Sequence, residues 1–178
     1  MAVSDRITLI TASLPERSSL LCEMINSVSL QTVKPSQHLI AVDDKHLVPK
    51  LNKMIEIAST EYIVQIDDDD LLYPNHVQVL NDNLVADVVW TWCDVTGRNW
   101  DPNQGYRKGE LAHGNYIPSN CAIRREALLA VGGHVEAARH HDHDLLQRLE
   151  AAGYSFHNVP IKTWNYRFGL SNNMSLRV

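Results

Sequence analysis

The chain has 178 residues, 44% hydrophobic and 21% charged, which suits one domain with a core of its own and argues against disorder. A formal net charge of −5 with scattered basic residues argues against a nucleic-acid binder, which carries a basic stripe. No run of about 18 apolar residues occurs and the N-terminus does not read as a secretory signal, so no membrane span is expected. Three widely spaced cysteines, Cys22, Cys93 and Cys121, lack metal-ligand spacing and are expected to be reduced core thiols of a cytoplasmic protein.

In chain order, Ile7 to Thr11 is a short β-branched run that reads as a buried strand, broken by a proline-bearing loop from Ala12 to Arg17. Leu20, Leu21, Met24, Ile25 and Val28 recur at helical spacing, and Pro35 is expected to end that region. A second strand, His38 to Val42, ends in Asp43-Asp44. Val48, Leu51, Met54, Ile55 and Ala58 then mark a helical face, and Tyr62 to Ile66 a third strand. The βαβαβ order with short connections predicts an α/β fold, with a mostly parallel central sheet flanked by helices. Ligands of such sheets sit outside the carboxyl ends of the strands. Thr11, Asp43-Asp44 and the run Asp67-Asp68-Asp69-Asp70 all fall at those ends.

Four adjacent carboxylates at the mouth of a buried strand repel one another, and a divalent cation would remove the repulsion. If the strand pattern continues, Asp67 and Asp69 converge on one side while Asp68 and Asp70 point away. Two carboxylates on one side suit Mg²⁺ or Mn²⁺ completed by phosphate oxygens and water. The alternative is a solvated acidic loop that caps the next helix.

Beyond Pro74 the pattern predicts a helix to about Leu84 and then a strand, Val88 to Cys93, with Trp90 and Trp92 on the same face. Thr96 to Ile117 reads as a long loop carrying Trp100, Tyr106 and Tyr116, where the aromatics either stack on a sugar or base or act as plain anchors. A short helix from Arg124 to Val131 ends at Gly132-Gly133. His140-His141-Asp142-His143-Asp144 opens another helix, with Asp142 at the N-cap. The last strand, Tyr154 to Trp164, leads into a polar tail with Tyr166-Arg167 and Ser171-Asn172-Asn173. No repeat or boundary divides the chain, so residues 1–178 form one domain. His140, His141 and His143 invite a zinc reading, but three histidines in one short loop do not easily face one ion, and exposed loop histidines are expected.

Taken in order, these motifs resemble the family 2 nucleotide-sugar glycosyltransferases of the GT-A fold. The matching pieces are Leu9-Ile10-Thr11 with Glu16-Arg17, Ser27-Val28-Ser29-Leu30-Gln31-Thr32, Ile40-Ala41-Val42-Asp43-Asp44, Leu51-Asn52, and Ala58-Ser59-Thr60-Glu61-Tyr62-Ile63. Asp67-Asp68-Asp69 stands at the family's Asp-x-Asp position, followed by Val131-Gly132-Gly133 and Asp142-His143-Asp144-Leu145 with Arg148-Leu149. The segment between Asp44 and Leu51 is shorter than is common in the family, Lys45-His46 replaces its Gly-Ser, and the tail lacks the histidine of its Tyr-Arg-x-His pattern.

The resemblance implies a metal-dependent, inverting transfer of a sugar from a nucleoside-diphosphate sugar to a glycan, protein or small-molecule hydroxyl. It places Thr11, through backbone groups, and Arg17 beside the nucleotide, and Asp44 on the base or ribose. Asp69 binds Mn²⁺ or Mg²⁺ with help from Asp67, and Asp67 and Asp68 also assist through the ribose hydroxyls. Asp142 is the general base, with Asp144 second. A non-catalytic binding module of the same fold, or a nucleotidyltransferase, are the rival readings.

Overall fold

The computed structural model describes residues 2–43, 46–136 and 140–169. Seven strands form one sheet in the order β2-β1-β3-β6-β5-β7-β4. The strands are β1 (Ala2–Ser13), β2 (Val33–Val42), β3 (Tyr62–Gln65), β4 (Leu71–Leu72), β5 (Val88–Thr96), β6 (Cys121–Arg124) and β7 (Phe156–Arg167). β1 pairs in parallel with β2 and β3, and β5 with β7, whereas β6 runs antiparallel to β3 and β5, and β4 to β7. Strands β1, β2, β3, β5 and β7 therefore point one way, as the βαβαβ pattern predicts. Their carboxyl ends share one edge of the layer, where the amino end of β6 joins them.

Five helices cover the sheet: α1 (Ser18–Ser29), α2 (Leu47–Ile57), α3 (His76–Asp82), α4 (Arg125–Ala130) and α5 (His141–Ala151). Leu21, Met24 and Val28 of α1, with Val77 and Leu80 of α3, pack on Ile7, Leu9, Tyr62 and Val64. Leu51, Met54 and Ile55 of α2, Leu128 of α4 and Leu145, Leu146 and Leu149 of α5 pack against Ile10, Ile63, Val88 and Trp90 on the other face. Alternation along β1 divides its side chains between two cores, Ile7 and Leu9 into one and Ile10 into the other.

Several boundaries differ from the sequence expectation. Pro35 does not end a segment; it lies within β2 opposite Ser4. The strand tolerates it because β2 is an edge, with no outer ladder bond to lose. β4 and β6, two and four residues long, carry no pattern of their own and are defined by their partners. Tyr166 and Arg167 are the last residues of β7 and not a polar tail. Cys93 and Cys121 are buried as expected, but Cys22 is exposed.

Candidate functional site

At the carboxyl ends of β1 and β3 the chain opens a cleft of about 280 Å³. Its floor is the aspartate run, which is a turn and not a continued strand: the Asp70 amide donates to the Asp67 carbonyl at 3.2 Å. Exposure nevertheless alternates, with Asp67 and Asp69 partly open while Asp68 and Asp70 are buried at 2% and 1%.

Each carboxylate has different company. Asp68 accepts from the Ser13 hydroxyl at 2.5 Å and from Arg17 Nε at 2.8 and 3.0 Å, and Arg17 Nη2 bridges it to Asp69, 3.0 Å away. Asp68 is thus the anchor of Arg17, with its lone pairs largely engaged. The two carboxylates hold the Arg17 guanidinium well above its usual pKa, with the Asp68 hydrogen bond the largest cause. Asp70 accepts from the Arg167 backbone amide at 3.1 Å, and Arg167 Nε donates to the Asp69 carbonyl. Burial first, then Asp67 and Asp69, raise the Asp70 carboxyl well above the usual range.

Asp67 has no cationic partner among the described residues. It accepts from Gln65 Nε2 at 3.0 Å and from the Ser119 hydroxyl at 3.3 Å. Burial, followed by Asp69 and with Asp142 and Asp68 adding to it, pushes its carboxyl up to about 6 against the pull of Gln65. The influence of Asp142 ties the two ends of the site together. Asp142 lies in the first turn of α5, two residues past the cap at His140 and not at the N-cap the sequence predicts, and the cap has no side-chain bond. It lines the cleft and accepts from Asn115 Nδ2 at 3.3 Å. Asp144 is spent elsewhere: Arg148 Nε donates to it at 2.8 Å while the same guanidinium holds the carbonyls of Val131 and Gly133.

Other expected residues are placed differently. Thr11 is fully buried, its hydroxyl 3.1 Å from His38 Nε2, and Ala12 takes the place at the cleft wall. Asp44 lies outside the described residues. The three histidines diverge: His141 Nδ1 is 3.0 Å from His134 Nδ1, His143 Nε2 donates to the Leu111 carbonyl at 2.7 Å, and His140 is exposed at the cleft. His141 and His143 are half-buried helix residues, not loop histidines, and no zinc arrangement results.

Sequence reading missed Lys50, Ser13, Asn115 and Ser119. Lys50 is buried, and its ammonium donates to the carbonyls of Ser13 and Asp43 at 3.1 and 3.0 Å while pairing with the Asp43 carboxylate at 3.2 Å. It therefore ties the ends of β1 and β2 together. A lysine two residues before a helical Asn carries no signal of such a role. Asn115 and Ser119 sit in the Gly- and Asn-rich segment before β6, which returns them to the cleft.

The donor set suits a hard divalent cation. Asp67 and Asp69 offer oxygen ligands from one turn, and the Asp67 carboxyl is raised first by burial and then by Asp69. Among the described residues no three His, Cys, Asp or Glu side chains converge to hold an ion alone. A cation here would draw its remaining ligands from phosphate and water.

Comparison of the fold with solved structures gives consistent neighbours. Staphylococcus aureus TarS 1–349 in complex with UDP-GlcNAc superposes with a TM-score of 0.76 at 11% identity, over 97% of this chain and 61% of that one. A mannosyltransferase from Pyrobaculum calidifontis in complex with GDP-Man and Mn²⁺ gives 0.65 at 14% identity, over 90% and 56%. The chain has the GT-A fold. It spans about three-fifths of the TarS 1–349 chains it matches. No family model and no curated protein matches the sequence. Among the described residues of this GT-A chain, no helix is long and apolar enough to cross a membrane.

Proposed function

We propose that the protein is a metal-dependent glycosyltransferase that moves a sugar from a nucleoside-diphosphate sugar to an acceptor hydroxyl with inversion. The observation that carries this reading is that the aspartate turn and Asp142 line the same cleft. A diphosphate entering there meets Asp67 and Asp69, while Arg17, the fixed cation of the lining, is already committed to Asp68 and Asp69. Charge balance therefore calls for a cation. Asp69 and Asp67 are the residues to hold it, and its chemistry when bound is to neutralise charge on the departing diphosphate.

The remaining work falls to side chains of the chain. Asp142 takes the proton of the acceptor hydroxyl as that oxygen attacks the anomeric carbon opposite the leaving group, and this single displacement inverts the centre. Asn115 orients the Asp142 carboxylate through its 3.3 Å contact. Asp68, with Ser13, fixes Arg17 beside the diphosphate. Thr11, by backbone groups, and Asp44 belong to the nucleotide end. A nucleotidyltransferase fits less well, because the loop from Ala12 to Arg17 has no glycine and its cation is engaged.

Thermal denaturation with a panel of nucleoside diphosphates and their sugars tests the donor reading. With Mn²⁺ present, a cognate nucleotide at about 100 times its Kd should stabilise the protein by about 2.7 kcal/mol, roughly 5 °C or more in Tm. Asp69→Ala should abolish the shift. An equal, metal-independent shift in that variant contradicts the assignment.

A further inference from the structure

One wall of the cleft is aromatic, and the donor reading leaves it unused. Trp100, in the segment between β5 and β6, is 46% exposed although it lines the cleft. Its ring stands edge-on to Tyr166 at 6.3 Å and 74°, and Tyr166 stands edge-on to Trp164 at 6.3 Å. Arg98, outside the cleft lining, lies 5.8 Å from the Trp100 ring centre. An indole this exposed gains little from folding, so its position needs another reason.

The segment that carries it is fixed. Asn103 Nδ2 donates to the Cys93 carbonyl and Asn103 Oδ1 accepts from the Cys93 amide, both at 2.8 Å. Further along, Tyr106 stacks on Phe156 at 4.7 Å and donates to Glu150 at 2.7 Å, and Leu111 is fully buried. Trp100 is therefore presented at the cleft by an anchored strap.

Charge narrows what this wall receives. Among the described residues, the formal charges of the lining are Asp67, Asp68, Asp69 and Asp142 against Arg17, while the aromatic side adds the amides Gln104 and Asn115. An anionic acceptor would approach these carboxylates, and among the described lining residues no lysine or arginine is uncommitted. Aromatic faces beside amides match the alternating C–H faces and hydroxyl edges of a sugar ring.

We propose that the acceptor is a neutral saccharide, one ring of which packs on Trp100 while a hydroxyl of the same molecule reaches Asp142. The direction of transfer rests on the glycosyltransferase reading; the sugar-binding wall stands independently of it.

The test is intrinsic tryptophan fluorescence of the full chain titrated with cellotetraose, maltotetraose, chitotetraose and mannotetraose, and with a heparin-derived tetrasaccharide as the anionic probe. Titrations are run with and without Mn²⁺ and the nucleoside diphosphate that gives the largest thermal shift. At least one neutral saccharide should bind more tightly than the heparin fragment. Trp100→Ala should weaken that binding roughly tenfold and Trp100→Phe restore most of it, with the Mn²⁺-nucleotide thermal shift retained in both. Tighter binding of the anionic probe, unchanged affinity in Trp100→Ala, or no neutral saccharide bound overturns the proposal. A nucleotide shift without saccharide binding defeats this proposal alone, and saccharide binding without any nucleotide shift defeats the donor reading alone.

Discussion

Asp142 and Asp144 lie two residues apart on one helical turn, yet their surroundings give them different work. Asp144 is held by Arg148, whose other nitrogens support the Val131 and Gly133 carbonyls. Among the described residues, the hydrogen-bond partner of Asp142 is Asn115, at a longer 3.3 Å, and the carboxylate lines the cleft. Asp142→Asn should therefore keep the Mn²⁺-nucleotide thermal shift and lose about 10²–10⁴-fold in turnover. Asp144→Asn should mainly lower stability, and a reversed pattern in steady-state assays would exchange their roles. Asp67 makes a separate prediction about pH in the ligand-free protein. Its carboxyl titrates at about 6 when folded and near the ordinary 3.8 when unfolded. Between those values the folded state keeps a proton that the unfolded state has released, so stability falls as pH rises from about 4 to about 6. The loss is at most about 3 kcal/mol, and smaller where solvent screens the partly open group. In urea unfolding, the advantage of Asp67→Asn over the parent should grow across that window and level off above it. A difference that does not vary with pH contradicts the account.

At the scale of elements, the helix that carries Asp142 is held in place by a contact between distant motifs. Asn52 of α2 accepts from the His134 amide and donates to the His134 carbonyl, both at 2.9 Å. Gly133 precedes that clamp with φ +67°, and a Cβ there would come 2.5 Å from Asn52 Oδ1. Gly133→Ala combines left-handed strain with this clash and should cost about 2 kcal/mol or more in urea unfolding, whereas Gly132→Ala meets the strain without the clash. Equal costs for the two would remove the clamp from the explanation. Burial, with His141 adding to it, lowers the His134 imidazole to about 4. Its NMR titration should thus have a midpoint near 4, and a midpoint near 6.5 contradicts the packing.

The same elements show what the sequence makes legible. α1, α2 and α5 have apolar residues at helical spacing, and β1, β3 and β5 are dense apolar runs, so each declares itself locally. β4 and β6 exist only through their partners. The anchoring of Trp100 depends on a pincer between Asn103 and Cys93, which composition does not encode. Asp67, Asp69 and Asp142 stand out because four adjacent carboxylates and an acidic helix start are unusual patterns. Lys50, Ser13 and Ser119 are ordinary residues that only their contacts at the strand ends and the aspartate turn single out.

For the whole molecule, strand direction decides where chemistry sits. Five strands end at one edge, and β6, running the other way, begins there, so Ala12, Asp67, Trp92, Ser119 and Tyr166 approach one cleft from distant parts of the chain. The sheet ends at β2 on that side, consistent with the short connection to α2. The proposed glycosyl transfer requires that Asp69 and Asp67 present a divalent cation to a nucleoside diphosphate in this cleft, opposite Asp142. Anomalous scattering from crystals grown with Mn²⁺ and the nucleoside diphosphate of the largest thermal shift measures it directly. The account predicts a manganese peak at coordinating distance from an Asp69 carboxylate oxygen and from the diphosphate. A peak among His140, His141 and His143, or a nucleotide bound away from the aspartate turn, would contradict it.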